Sequence, residues 1–221
     1  MQNEMTATLI LPKIAQILQG IVEQSKPFAD RDIVAHALLC FLTKAFNTTR
    51  SIDCLAVTCP QTAENDINTL LRSVYDAYLQ AAYLAHDSGM AVSRAQDFRD
   101  FDHVERRKLW NHIFKHQTSL SRFIAAAPQR PQAEAAMNAN FDRVKSRFNN
   151  GKQSHWYPGS LETIATKVGK GGEYANLLVH LHGSVHSSFR VMTRGPAADV
   201  DRSSAWSLFL AARIAQLIVN H

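Results

Sequence analysis

The chain has 221 residues, 46% of them hydrophobic and 19% charged, and 24 Lys and Arg against 19 Asp and Glu leave a formal net charge of +5. That length suits one domain with a full apolar core. The composition excludes a disordered tail, a collagen-like repeat and a disulfide scaffold.

Helical spacing recurs along the whole chain, and no stretch alternates with period two for long. A first helix is expected from about Pro12, a residue that suits a first-turn position. Asp30 and Asp32 supply N-terminal carboxylates to a second helix carrying Ile33, Val34, Ala37, Leu38, Phe41, Leu42 and Ala45. Cys59-Pro60 and Asp87-Ser88-Gly89 bracket the clearest pattern, in which Ile67, Leu70, Leu71, Val74, Tyr75, Tyr78, Leu79, Ala82 and Tyr83 step by three and four over more than four turns. A helix from about Val92 to His116 follows, and Ala127-Pro128-Gln129-Arg130-Pro131 is the strongest break in the chain. Met137, Phe141, Val144 and Phe148 mark the next helix, ended by Asn149-Asn150-Gly151. Pro158-Gly159-Ser160 opens a short helix that Gly169 stops, and Gly171-Gly172 leads into another running from Glu173 to about Met192. Ser203 or Ser204 is expected to cap a last helix whose apolar face holds Trp206, Phe209, Leu210, Ile214, Leu217 and Ile218.

These patterns predict an all-α fold, a bundle of about seven or eight helices in a single domain over residues 1–221. Cys40, Cys54 and Cys59 are an odd number without a C-x-x-C pair, so reduced, partly buried thiols are expected. The opening Met1-Gln2-Asn3-Glu4 lacks a cationic secretory n-region, and charges interrupt each apolar run well short of a membrane span. A soluble cytoplasmic protein of bacterial type is therefore expected, without membrane contact.

Three groups of residues carry candidate chemistry. Tyr174, Leu178, His182 and His186 repeat every fourth residue and form one ridge on a helix. Two His at i and i+4 can share a zinc ion, but the glutamate of an H-E-x-x-H helix is missing, so no metal or other cofactor is expected. Arg72 and Asp76 are i, i+4 neighbours at the margin of the best apolar stripe, either an edge ion pair or a guanidinium held toward an anion. Between Arg94 and Lys152, twelve Lys and Arg face six Asp and Glu, a net of +6 against −1 for the rest. Arg106, Arg107, Arg143 and Arg147, with Trp156 nearby in sequence, are the candidate contacts of that segment for nucleic acid or another anionic partner.

Two resemblances sharpen these readings. Arg31-Asp32-Ile33-Val34-Ala35-His36 resembles the HEPN ribonuclease signature, an Arg followed after a few residues by His, and Arg106 and Arg107 with His112 fit it more loosely. With fifteen Arg and ten His, such spacings also arise by chance. The second is broader. Lys44-Ala45-Phe46-Asn47-Thr48 and Thr69-Leu70-Leu71-Arg72-Ser73-Val74-Tyr75-Asp76, then Trp156, Leu161 and Gly169, then Tyr174 to His186, resemble the bacterial family catalogued as domain of unknown function 5677. Asp76 stands where that family has Glu, Leu178 where it has a second Tyr, and His182 where it has Ser.

The resemblance covers about residues 35–190, with the helix at about 203–220 expected to pack on that core. It implies an all-α intracellular protein in which Arg72, Asp76, Tyr174 and His186 converge, and it brings no established activity. The favoured expectation is a non-catalytic interaction or scaffold module linked to stress or defence, with a protein partner or a second copy. In that reading Arg72, Asp76, Tyr174, His182 and His186 form an internal polar network. The alternative is a metal-independent hydrolase of RNA or nucleotide phosphodiesters, with His186 as base and Arg72 on the developing anion.

Overall fold

A computed structural model describes residues 2–59, 63–115, 119–176 and 200–220. The elements are α1 (Gln2–Ala29), α2 (Ile33–Thr58), α3 (Glu64–Ala85), α4 (Ser88–Lys115), α5 (Ser119–Ala125), α6 (Arg130–Val144), a 3₁₀ turn (Lys145–Gly151), α7 (Leu161–Lys167) and α8 (Val200–Val219). Residues 171–176 are also helical, and no strand occurs among the described residues. The fold is all-α. No helix among the described residues is long and apolar enough to cross a membrane.

The helices group into two compact units, one formed by residues 1–92 and 159–221 and the other by residues 93–158. In the first, α2 packs along α3, α8 lies against both, α1 covers α2 and α8, and α7 sits on α3. Its centre is built on the stripes legible in the sequence, with Leu38, Leu42 and Ala45 of α2 and Ile67, Val74 and Leu79 of α3 all buried, and Ile52 and Leu84 extend them. Asp32 caps α2 as its spacing implied, accepting hydrogen bonds from the backbone N–H of Val34 at 2.7 Å and of Ala35 at 3.1 Å.

Four local expectations are corrected. α1 begins ten residues before Pro12, which lies in the helix interior, where a proline leaves one carbonyl of the preceding turn without its donor and need not stop the helix. α8 begins at Val200, so Ser203 and Ser204 lie in its first turns and neither is its cap. Leu208, Leu210, Ala211, Ile214 and Ala215 form its buried face, whereas Trp206 and Phe209 are 36% and 54% exposed. The three cysteines are free and exposed, because α2 turns Cys40 and Cys54 outward and Cys59 lies at its C-terminal end.

The second unit holds most of α4 together with α5, α6 and the 3₁₀ turn. Phe101 of α4 and Phe148 of the 3₁₀ turn meet edge to face, centroids 5.2 Å apart, among buried Ala95, Val104 and Val144. The expected helix end at Asn149-Asn150-Gly151 is made by three consecutive residues with φ of 49°, 52° and 80°, after α6 has already given way to the 3₁₀ turn at Lys145. Asn tolerates that left-handed region and Gly is at home in it. At Gly151 a Cβ would also come within 2.8 Å of the Phe141 ring.

Candidate functional site

The polar residues of α3 sit on the margin of its buried stripe. Arg72 Nε and Asp76 Oδ2 are 4.0 Å apart, and the two side chains are only 23% and 25% exposed. Burial holds the Asp76 carboxyl above its usual range, although the nearby charges of Arg72 and of Lys44 on α2 oppose that shift. Arg72 Nη1 is buried and has no hydrogen-bond acceptor among the described residues.

Tyr174 reaches this margin because of how the chain leaves α7. Ser160 caps α7 in a reciprocal box with Thr163. At the other end Gly169 adopts φ 72°, its N–H bonds to the Thr166 carbonyl at 3.1 Å, and the Lys170 N–H bonds to the Ala165 carbonyl at 2.7 Å. This is a Schellman termination, and it turns the chain into the helical residues 171–176. Tyr174 is thereby buried with its ring stacked on Tyr75, centroids 6.4 Å apart and planes 19° off parallel. Burial pushes the Tyr174 phenol up, the charge of Asp76 adds to this and that of Arg72 opposes it.

Tyr75 is buried, and its hydroxyl has no hydrogen-bond partner among the described residues. Burial, and then the nearby Glu173 carboxylate, push this phenol well above its ordinary value. Glu173 itself pairs with Lys170 at 2.9 Å.

Arg72, Asp76 and Tyr174 are therefore brought together, joined by Tyr75, Lys44 and Glu173. The sequence held Tyr75 as part of an apolar stripe. For Glu173 the available signal was its i, i+3 spacing from Lys170. The remaining candidates of this group, His182 and His186, lie outside the described residues. Among the described residues no three His, Cys, Asp or Glu side chains gather as a metal would require. Among the described residues the cluster offers charge balance and aromatic packing.

In the second unit the cations converge on one carboxylate. Asp100 has a side chain only 2% exposed. Its Oδ2 accepts hydrogen bonds from Gln96 Nε2 at 2.9 Å and from Arg147 Nη2. Its Oδ1 faces Arg99 Nε at 3.5 Å and Arg143 Nη2 at 3.9 Å. Burial works against ionisation of Asp100, but the hydrogen bonds from Gln96 and Arg147 and the charges of Arg147 and Arg99 outweigh it and hold the carboxyl below its usual value. Arg147 also bonds Asp97 at 2.8 Å, and Arg143 Nη2 lies 3.3 Å from His103 Nε2.

Of the other binding candidates, Arg106 pairs with Asp102 at 2.6 Å on the surface, and Arg107 has a buried Nη1 without an acceptor among the described residues. Trp156 is 6% exposed and packs edge-on against Phe98 at 5.5 Å, so its ring is a core element. Arg31 and His36 are both exposed at the α1–α2 corner, where Arg31 borders a groove of about 520 Å³ lined by Ile21, Phe28 and Ile218.

No curated protein and no solved structure matches the chain. A family model does, over residues 35–197, a span that takes in α2, α3, the Asp100 cluster and the approach to Tyr174. The model is described as a family of unknown function, DUF5677, and the chain belongs to that family.

Proposed function

We propose that the chain is a non-catalytic helical module of the bacterial cytoplasm, one that works by binding. In this reading the Arg72–Asp76–Tyr174 cluster fixes how its helices register, and the basic residues 93–158 meet an anionic partner. The supporting observation is the burial of the cluster. Arg72 and Asp76 are about three-quarters covered, and Tyr174 is sealed against Tyr75. A guanidinium that must reach a phosphodiester needs an open approach, whereas a buried polar pair that selects one packing arrangement does not.

The test is a turnover assay of the full chain on labelled RNA and on nucleotide phosphodiesters, beside Arg72→Met and His186→Ala. The module reading expects no turnover above background in any of them, with melting of Arg72→Met lowered by several degrees. Cleavage by the wild-type chain, lost in both variants without a change in melting temperature, would overturn it in favour of a hydrolase.

A further inference from the structure

We infer that residues 93–158 bind the phosphodiester backbone of nucleic acid through a fan of arginines anchored on Asp100. This rests on the reading of the basic unit as the face that meets a partner, and it names that partner's chemistry.

The geometry starts from the buried carboxylate. Arg99, Arg143 and Arg147 all lie within 4 Å of Asp100, and Asp97 adds a second carboxylate. Three guanidiniums against two carboxylates leave a net positive charge at one point. Arg147 donates to both Asp97 and Asp100, whereas Arg99 and Arg143 face Asp100 Oδ1 as ion pairs at 3.5 and 3.9 Å without a hydrogen bond, and the side chains of Arg99, Arg143 and Arg147 stay 56%, 55% and 40% exposed. A guanidinium held at one edge and open at the other has already lost the rotamer freedom that a free surface arginine gives up on binding. The buried Asp100 thus positions the fan, and the arginines make the contacts.

Further along α4 the exposed Lys108 adds one more cation, while the ridge between it and the fan is buried at Phe101 and Val104. Asp97, Phe101, Val104 and Lys108 are spaced by four, three and four, one ridge of that helix. Lys108 Nζ donates to the carbonyl of Gln153, which sets Lys108 beside the segment that also carries Lys152. Asp97 and Lys108 stand eleven helical rises apart, so the fan and Lys108 mark the two ends of a seam about 16 Å long, a length that about four or five phosphates span at 3.4 Å per strand charge.

Within residues 93–158 there are eight Arg and four Lys, against six acids. Guanidinium forks match phosphate oxygens two at a time, which a lysine does not. The rings along the seam, Phe101 and Phe148, are buried against each other. Base stacking has no platform there, so recognition runs through the backbone and is indifferent to base sequence.

The experiment is fluorescence anisotropy of the full chain with a labelled 20-base-pair RNA duplex between 50 and 200 mM salt. Arg99→Gln with Arg143→Gln is the test variant, since it keeps the Arg147–Asp100 bond, and Lys26→Gln in the other unit is the control. Wild type should bind with log K falling linearly in log salt, and the double variant should lose about tenfold in affinity and about two units of that slope. Lys26→Gln should change neither.

Should the glutamine pair lose its melting transition, Arg99→Lys with Arg143→Lys decides. Charge retained without the fork should keep the salt slope and lose about threefold in affinity. The inference is overturned by absent wild-type binding, by an unchanged affinity in the folded variant, or by tighter binding to poly-glutamate or to anionic phospholipid vesicles. None of those results bears on whether the chain is catalytic. Cleavage of the duplex by the wild-type chain would instead sink the module reading while leaving the arginine seam in place.

Discussion

Replacing Arg72 and Asp76 singly and together separates a register-fixing pair from a bystander. At 4.0 Å two unit charges attract by about 4 kcal/mol at an effective dielectric of 20, and by about 1 kcal/mol in bulk water. Side chains about a quarter exposed place the pair between those limits, near 2 kcal/mol of gross attraction. Burial nonetheless leaves the Asp76 carboxyl above its ordinary value, so desolvation outweighs the help it receives from Arg72 and Lys44. The pair is therefore costly to break but cheap to replace. Asp76→Leu strands a mostly buried guanidinium and should cost about 1–2 kcal/mol, a discount on the 3–5 kcal/mol of a fully buried pair. Arg72→Met strands the carboxylate at similar cost. The double variant should return to within about 1 kcal/mol of wild type, because two apolar side chains of similar volume need no partner. In melting temperature each single change lowers the midpoint by roughly 3–6 °C and the double recovers most of it. Urea unfolding followed by circular dichroism at pH 7 gives the four free energies. Singles that add without coupling, or a double variant less stable than either single, would refute the reasoning.

Asp32→Ala removes the acceptor of two backbone N–H groups at the start of α2 and should cost about 1 kcal/mol in the same assay. Tyr75→Phe deletes a buried hydroxyl that faces the Glu173 carboxylate without the geometry of a full hydrogen bond; stability should hold within about 0.5 kcal/mol, and a loss above about 1 kcal/mol would show that the Tyr75–Glu173 contact is a full bond. Asp100 is held below the ordinary 3.8, so its ionised form favours the fold at pH values above that figure, and the benefit is lost as pH falls through the lower folded value. Asp100→Asn should therefore destabilise at pH 7 and converge on wild type in acid; a gap in urea midpoint that stays constant from pH 7 to pH 2 would contradict this. Phe148→Ala should cost about 3–5 kcal/mol, and hydrogen exchange should show lost protection within residues 93–158 while α2 and α3 keep theirs.

Local rules carried the reading of the sequence where one residue's chemistry settles a geometry. Asp32, Ser160 and Gly169 announce helix ends because a cap or a left-handed residue acts within its own turn. The α3 stripe was legible for the same reason, its period being set by one helix. Pro12 misled because the preference for a first turn is statistical, and an interior proline, though it costs about 3 kcal/mol through a lost hydrogen bond and a clash with the preceding turn, does not have to end the helix. Trp156 was named as a binding contact for its place beside the basic segment, and that sequence position says nothing of the Phe98 ring it packs against. The Asp100 fan was hidden for a third reason. Arg143 and Arg147 lie more than forty residues from Asp100, and nothing in either segment marks the other as its partner. Of the first site, Arg72 and Asp76 could be paired by spacing, but that Tyr174 joins them follows from the Schellman turn after α7 and from the family resemblance, not from periodicity.

The order in which the chain is made gives the division into two units a further meaning. Residues 93–158 form a continuous stretch whose contacts close locally, so this part can fold as soon as it emerges during synthesis. The flanking unit cannot. Its core needs α8 against α2, elements separated by more than 140 residues, and α7 against α3 across the whole basic stretch. Until the last helix is released, Leu38, Leu42 and Val74 lie in a half-built layer with apolar surface uncovered. On this order of synthesis the basic stretch can close while the larger apolar unit is still open, the stage at which folding and aggregation compete in a multi-unit chain.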